Sequence, residues 1–290
     1  MTAKILDGKA WSKAIRSEVT EEVQKWLRSE LHVPGLAVVL VGENPASRVY
    51  VRNKCRACEE VGITSIRHDL PEHISEEELL KLVTELNRDP QVNGILVQLP
   101  LPKHINTQKV LESVHPLKDV DGFHPLNVGR LSIGESCLIP CTPLGVIEVL
   151  KREAIPIPGS RAVIIGRSNI VGKPMVQLLL RENATVTVCH SGTKDLPGVC
   201  READILIAAT GQKKMVRGDW VKSGAAVFDV GIAFEEVNGK RVQVGDVDKE
   251  EVMEVAGYLC PSPGGPGPMT IAMLLSNTMK AARLQQEQRK

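Results

Sequence analysis

Tyr50 and Lys54 lie four residues apart in a stretch whose apolar pattern predicts a helix over 45–60. That spacing sets a phenol and an amine on one helix face. Arg48, Arg52 and Arg56 form a neighbouring basic stripe. Taken alone, a tyrosine and a lysine so spaced are more often half-buried packing, with their stems over apolar surface and their tips in water. Two polar positions elsewhere change that balance. Gln98 closes an apolar run within Val97-Gln-Leu-Pro-Leu-Pro102, and Lys118-Asp-Val-Asp121-Gly122-Phe123-His124 is a polar loop with two acids.

A second chemistry is written in Val163-Ile-Ile-Gly166-Arg167-Ser168-Asn-Ile-Val-Gly172-Lys-Pro174. A buried strand that runs through a glycine turn into a helix presents free backbone N–H groups and a positive helix end, where a pyrophosphate can sit. The segment departs from G-x-G-x-x-G, because Ser168 replaces the second glycine. Dinucleotide binding and a tight, unliganded strand–helix turn both fit it. After the next strand the chain reads His190-Ser191-Gly192-Thr193, with no acid. An NAD site usually carries Asp or Glu there for the ribose 2′-hydroxyl. Arg167, Ser168, His190 and Ser191 can instead donate to a 2′-phosphate, so NADP is favoured. Thr210-Gly211-Gln212 and Gly231-Ile232-Ala233 end two further strands at the same mouth. They read either as close-approach points for ribose and nicotinamide or as plain turns.

Positioning these groups takes two series of elements. Strands over 36–41, 65–70 and 94–98 alternate with helices over 45–60 and 75–87, after a first helix over 10–31. A second series has a helix over 143–152, strands over 162–165, 185–189, 205–208 and 225–230, and a last helix over 268–288. Alternation of this kind predicts an α/β chain with mainly parallel sheets. The expected architecture is two lobes with a cleft between them, the C-terminal lobe Rossmann-like. Residues 1–139 with 268–290 form one lobe, and residues 140–267 the other.

The bulk numbers agree. A chain of 290 residues with 42% apolar content can bury two cores. Thirty-six basic against 35 acidic residues leave a charge of +1, which argues against a nucleic-acid-binding face. No apolar run has the length of a membrane span. Met1-Thr-Ala-Lys-Ile-Leu-Asp7 has no leader pattern, so a cytoplasmic location is expected, or an organellar one after a leader is trimmed. Seven cysteines without a framework read as reduced thiols. Cys55 and Cys58, with Cys137 and Cys141, offer four thiols for zinc. Packing is the stronger reading, because Cys55 and Cys58 fall inside a helical stretch. No metal site is assigned.

Tyr50-Val-Arg-Asn-Lys54, Gly94-Ile-Leu-Val-Gln-Leu-Pro-Leu-Pro102, Lys118-Asp-Val-Asp-Gly-Phe123, Pro140-Cys-Thr-Pro143, the Gly166–Pro174 segment and Pro263-Gly-Gly-Pro-Gly-Pro-Met-Thr270 occur in this order. As a set they resemble the bifunctional methylenetetrahydrofolate dehydrogenase/cyclohydrolase family, over nearly the whole chain. The resemblance implies oxidation of 5,10-methylenetetrahydrofolate with NADP, then hydrolysis of the 5,10-methenyl product to 10-formyltetrahydrofolate, in a homodimer. It implies that Lys54 manages protons, that Gln98 orients it, that Tyr50 stacks or hydrogen-bonds near the reacting carbon, and that Asp121 accepts from the pterin. Leu99, Gly265 and Pro266 join them at the folate. Gly166, Arg167, Ser168, Gly172, His190, Ser191, Thr210, Gly211, Gly231 and Ile232 hold the cofactor. Four residues depart from the family pattern: Pro266 where Val is usual, Cys260 and Ser262 nearby, and Ala233 where Asn is common. Proline fixes φ and deletes an N–H, so a shifted loop and altered kinetics are expected. Two rival readings are an NADP oxidoreductase acting on another small acid and an NADP-binding sensor without turnover. A monofunctional dehydrogenase is a closer variant, against which Lys54 speaks.

Overall fold

The computed structural model describes residues 2–29, 31–237 and 240–288. The chain opens with β1 (Lys4–Ile5) and α1 (Gly8–Leu27). It then alternates β2 (Gly35–Val41), α2 (Pro45–Val61), β3 (Thr64–Leu70), α3 (Glu76–Arg88) and β4 (Gly94–Val97), followed by α4 (Thr107–Ser113) and α5 (Pro125–Ser132). A second alternation runs α6 (Cys141–Arg152), β5 (Arg161–Ile165), α7 (Gly172–Arg181), β6 (Thr185–Cys189), α8 (Leu196–Cys200), β7 (Ile205–Ala208) and β8 (Ala226–Asp229). The hairpin β9 (Ala233–Val237) and β10 (Lys240–Val244), α9 (Lys249–Met253), β11 (Tyr258–Cys260) and α10 (Pro266–Glu287) complete it. Two compact units result: one runs to Ser12 and takes in Thr142–Thr270, and the other is Lys13–Cys141 with the chain from Ile271 onward.

In the second of these units three parallel strands lie in the order β3-β2-β4. All seven residues of β2 are buried, as befits a central parallel strand covered on both faces. Helix α3 begins with a capping box between Ser75 and Glu78. It packs Leu79, Val83 and Leu86 against Val39, Ile95 and Val97. Burying each such side chain contributes roughly 1.5–3 kcal/mol. Asn44 starts α2 by accepting from the Ala46 and Ser47 N–H groups, with Pro45 in the first turn. Gly62, at φ +83°, stops it. Val51, Ala57, Cys58 and Val61 form the buried side of α2, while Tyr50 and Lys54 are half-buried.

The other unit holds six parallel strands in the order β1-β11-β8-β7-β5-β6. Val163, Ile165, Leu206, Ala208, Val227 and Leu259 supply part of its core. Strand β5 has β6 on one side and β7 on the other, so the order reverses beside β5, where an open α/β sheet binds ligands. The first residues of the chain belong here and not with the first alternation: Lys4 pairs with Tyr258 and Ile5 with Leu259. A strand of two residues carries no periodic signal, which is why the sequence reading places residues 1–139 together. Among the described residues no helix is long and apolar enough to cross a membrane.

Candidate functional site

Each unit carries a cluster of the residues singled out above. In the three-stranded unit, Lys54 Nζ donates to Gln98 Oε1 at 3.0 Å. The Gln98 Nε2 donates in turn to the Leu99 carbonyl at 2.8 Å, which fixes the amide with its oxygen toward the ammonium. Gln98 N donates to Val39 O at 2.8 Å, so the residue is held beside β2 just past the end of β4. Tyr50 lies one turn before Lys54 on α2.

The two acids of the 118–124 loop have different work. Asp119 is buried and accepts from Phe123 N at 3.1 Å, His124 N at 2.8 Å and Asn127 Nδ2 at 2.8 Å. It closes the loop, although burial raises its pKa. Asp121 is half-buried, and its one hydrogen bond among the described residues comes from Cys141 Sγ at 3.9 Å. Burial lifts the Asp121 carboxyl above its ordinary range, and the Lys54 charge pulls it back; the two groups are therefore within electrostatic reach. A Cβ on Gly122, at φ +69°, would stand 2.6 Å from Ile139 C and Pro140 N, so the residue after Asp121 has no room for a side chain. Asn277 on α10 donates to Val120 O at 2.8 Å and to Ile139 O at 2.7 Å, bracing the loop. The sequence reading missed Asn277. An amide on an otherwise apolar helix face was its only signal.

At the nucleotide cluster, Gly166 takes φ +119° and a Cβ there would stand 2.3 Å from Ala209 O. A Cβ on Gly172 would stand 2.3 Å from Gly166 O. The turn is thus bare backbone pressed between β5, β7 and α7. The expected donors have moved. Val171 N and Gly172 N give their hydrogens to Ser168 Oγ at 3.2 and 3.4 Å, and Lys173 N gives its own to Ser168 O at 3.0 Å. The N–H groups of residues 167–170 have no partner among the described residues, so the turn before α7, and not its first helical turn, offers donors to a phosphate. Arg167 and Ser168 are exposed there. Gly192 N donates to His190 Nδ1 at 3.0 Å, which leaves Nε2 as the nitrogen that carries the ring's own N–H. Ser191 is exposed beside it. This set suits a phosphorylated dinucleotide: a side-chain-free cradle, open N–H groups and no carboxylate in residues 190–193.

Thr210 and Gly211 behave differently from expectation. Thr210 N, Thr210 Oγ1 and Gly211 N all donate to Asp246 Oδ2, at 2.5, 2.9 and 3.1 Å. Gly231 N is likewise taken by Asp229 Oδ1 at 3.2 Å. These turns can meet a ligand through carbonyls and bare Cα atoms, not through those N–H groups. Ile232 is half exposed. Asp229 also accepts from Asp246 N and Val247 N, at 2.8 and 3.2 Å, yet burial pushes it up to about 7. Both acids are buried and both escaped the sequence reading: Asp246 follows Gly245 and looks like ordinary turn chemistry, and Asp229 ends the apolar strand β8.

Pro266 is the first residue of α10, where a missing N–H and a fixed φ are tolerated. Its carbonyl accepts from Thr270 Oγ1 at 3.0 Å. The doubt about loop placement thus has a local answer. Gly265 donates its N–H to Pro261 O at 2.8 Å, and a Cβ on Gly8 would stand 1.9 Å from its carbonyl oxygen. Cys260 is buried, its thiol pushed up to about 12 by burial. Ala233 opens β9, paired with Val244. Cys55 and Cys58 lie inside α2, and all four cysteines of the zinc reading are free thiols.

With this geometry in view, comparison with known proteins is direct. Residues 6–121 match the family described as tetrahydrofolate dehydrogenase/cyclohydrolase, catalytic domain, and residues 140–286 match its NAD(P)-binding domain. The bifunctional protein FolD of Moorella thermoacetica is 57% identical over 98% of this chain and 100% of its own length. That of Listeria innocua is 56% identical over 97% of each. Among solved structures, FolD from Campylobacter jejuni superposes with a TM-score of 0.93 at 53% identity, covering 98% of this chain and 99% of that one. The Trypanosoma brucei dehydrogenase-cyclohydrolase, complexed with NADP cofactor and inhibitor, gives 0.94 at 39% identity over the same shares. By sequence and by fold, this chain belongs to the tetrahydrofolate dehydrogenase/cyclohydrolase family.

Proposed function

We propose that Lys54, Gln98, Tyr50 and Asp121 carry the folate chemistry of this chain, and that the Gly166 turn with Arg167, Ser168, Gly172, His190, Ser191, Thr210, Gly211, Gly231 and Ile232 holds its cofactor. The chain is a bifunctional methylenetetrahydrofolate dehydrogenase and methenyltetrahydrofolate cyclohydrolase that uses NADP. The folate side is residues 13–141 with the chain from 271 onward, and the cofactor side is residues 142–270 with the chain to Ser12.

NADP, when bound, supplies the hydride acceptor. In that step the chain aligns the reactants, since nitrogen lone pairs of the folate stabilise the cation left behind. Hydration asks for more, because protons must move as water adds and the ring opens. In its unprotonated form Lys54 Nζ takes a proton from the attacking water and returns it to the departing ring nitrogen. Gln98 Oε1 holds that amine in place, and Tyr50 lies along the reacting carbon. Asp121 accepts from the pterin N–H groups, which compensates a carboxylate whose burial is otherwise poorly met. Leu99 completes the folate contacts on this unit. The observation that carries this reading is the Lys54–Gln98 hydrogen bond at 3.0 Å with the Asp121 carboxylate in reach of the same charge. A monofunctional dehydrogenase has no use for such an amine.

A homodimer suits the exposed edge of the larger sheet. Strand β6 is that edge, and Val188 on it and Leu180 on α7 are exposed, a surface that a second copy would cover. The cytoplasm is the proposed location. The test is to supply 5,10-methylenetetrahydrofolate with NADP or NAD and follow reduced nicotinamide together with the methenyl absorbance. Faster reduction of NADP with a methenyl band that rises and decays is expected. Cofactor binding without turnover of any folate would instead mark a sensor.

A further inference from the structure

We propose that Asp246 is a positioning residue for the dehydrogenase reaction, its carboxylate holding the Thr210–Gly211 turn in the shape that receives the cofactor. This rests on the reading of that turn as part of the NADP site. Asp246 is 0% exposed, and its Oδ2 gathers three donors: Thr210 N, Thr210 Oγ1 and Gly211 N. The Thr210 hydroxyl oxygen also accepts from Gln212 N at 3.1 Å. The hydroxyl is thereby fully oriented, with its proton committed to Asp246. What the turn has left for a ligand is backbone carbonyl and the Cα of Gly211.

The other oxygen is the more telling one. Asp246 Oδ1 is buried without a hydrogen-bond partner, an arrangement that native folds seldom keep without a use. The room for this carboxylate exists because Gly231 lacks a side chain: a Cβ there would stand 1.9 Å from Oδ1. The relation is reciprocal, since a Cβ on Gly245 would stand 1.7 Å from Asp229 Oδ2. Asp246 N in turn donates to Asp229 Oδ1. Two glycines and two carboxylates thus cross, and they fasten the turn after β7 to the ends of β8 and β10.

The test uses the full-length chain with Asp246→Ala, Asp246→Asn and Arg167→Ala, measuring kcat and KM for NADP at saturating 5,10-methylenetetrahydrofolate and the Kd for NADP by calorimetry. Hydrolysis of directly supplied 5,10-methenyltetrahydrofolate, which uses no nicotinamide, reports whether each variant is folded. Asp246→Ala is expected to raise KM and Kd for NADP about tenfold or more while kcat at saturating cofactor falls less than about threefold. Asp246→Asn, whose amide oxygen still accepts from Thr210 N and Gly211 N, recovers most of the loss. If Asp246→Ala does not fold, Asp246→Glu, which keeps the charge but moves the oxygens, is expected to raise KM in the same way. A folded Asp246→Ala or Asp246→Glu with unchanged KM and Kd, while Arg167→Ala raises both, overturns the role of Asp246 and leaves the cofactor site standing. If Arg167→Ala changes nothing either, the cofactor reading fails and takes this proposal with it.

Discussion

The two clusters meet opposite demands with opposite means. Around Lys54 the working groups are side chains with few partners: an amine bonded to one amide oxygen, and a carboxylate touched by one thiol. Around Gly166 the working surface is backbone, stripped of side chains at Gly166 and Gly172, and the turns after β7 and β8 are held by the buried Asp246 and Asp229. A group that must gain and lose a proton needs open valence. A surface that must receive a large anion needs donors already in place, so that little reorganisation accompanies binding. Partnering is therefore sparse where bonds change, and on the cofactor side it is dense at the Thr210–Gly211 and Gly231 turns while the N–H groups of residues 167–170 stay open.

The sharpest break of this contrast is Gly166→Ala. The new methyl would stand 2.3 Å from Ala209 O, and the cradle has no flexible neighbour to yield. Dehydrogenase activity should fall by about 10²-fold or more, the scale of misplacing reactants by an ångström, with cyclohydrolase retained; both activities are read in one assay. Arg167→Ala comes next. Removing one charge-assisted contact to a 2′-phosphate should raise KM for NADP about tenfold and KM for NAD little. Equal effects on the two cofactors would contradict the assignment.

Asp229→Asn probes the hold on the turn after β8. A carboxyl whose folded pKa stands at about 7, above its unfolded value of 3.8, contributes stability that is whole below the unfolded value and lost as pH rises through the folded one. Thermal melting should show the native chain losing stability between these two pH values, and the variant lacking that slope. Smallest of all is Pro266→Val. Since Pro266 sits at the first position of α10, both KM values should stay within about twofold, because proline costs nothing there. A larger shift would mean that the ring itself touches a ligand.

What could be read beforehand follows from length and from order. The buried runs of β2 and β7 and the amphipathic spacing of α3 announce themselves over several residues. So do the Gly166 turn and the Tyr50–Lys54 pair, because each lies within one local stretch. The strands β1 and β11, of two and three residues, have no period to detect. Nothing local therefore announces that Lys4 and Ile5 join the larger sheet. Asn277, Asp229 and Asp246 were invisible for a different reason. Each acts on backbone far along the chain, Asn277 across 157 residues to Val120, and a polar side chain satisfied at such a distance leaves no local spacing. The commitment of the Thr210 and Gly211 N–H groups to Asp246 belongs to the same class.

The central claim is that one amine divides the two reactions, and Lys54→Ala tests it most directly. With 5,10-methylenetetrahydrofolate and NADP supplied together, the variant should still reduce the cofactor, and the methenyl band should then persist, decaying no faster than in buffer alone. A band that rises and vanishes at the rate of the native chain would contradict the claim.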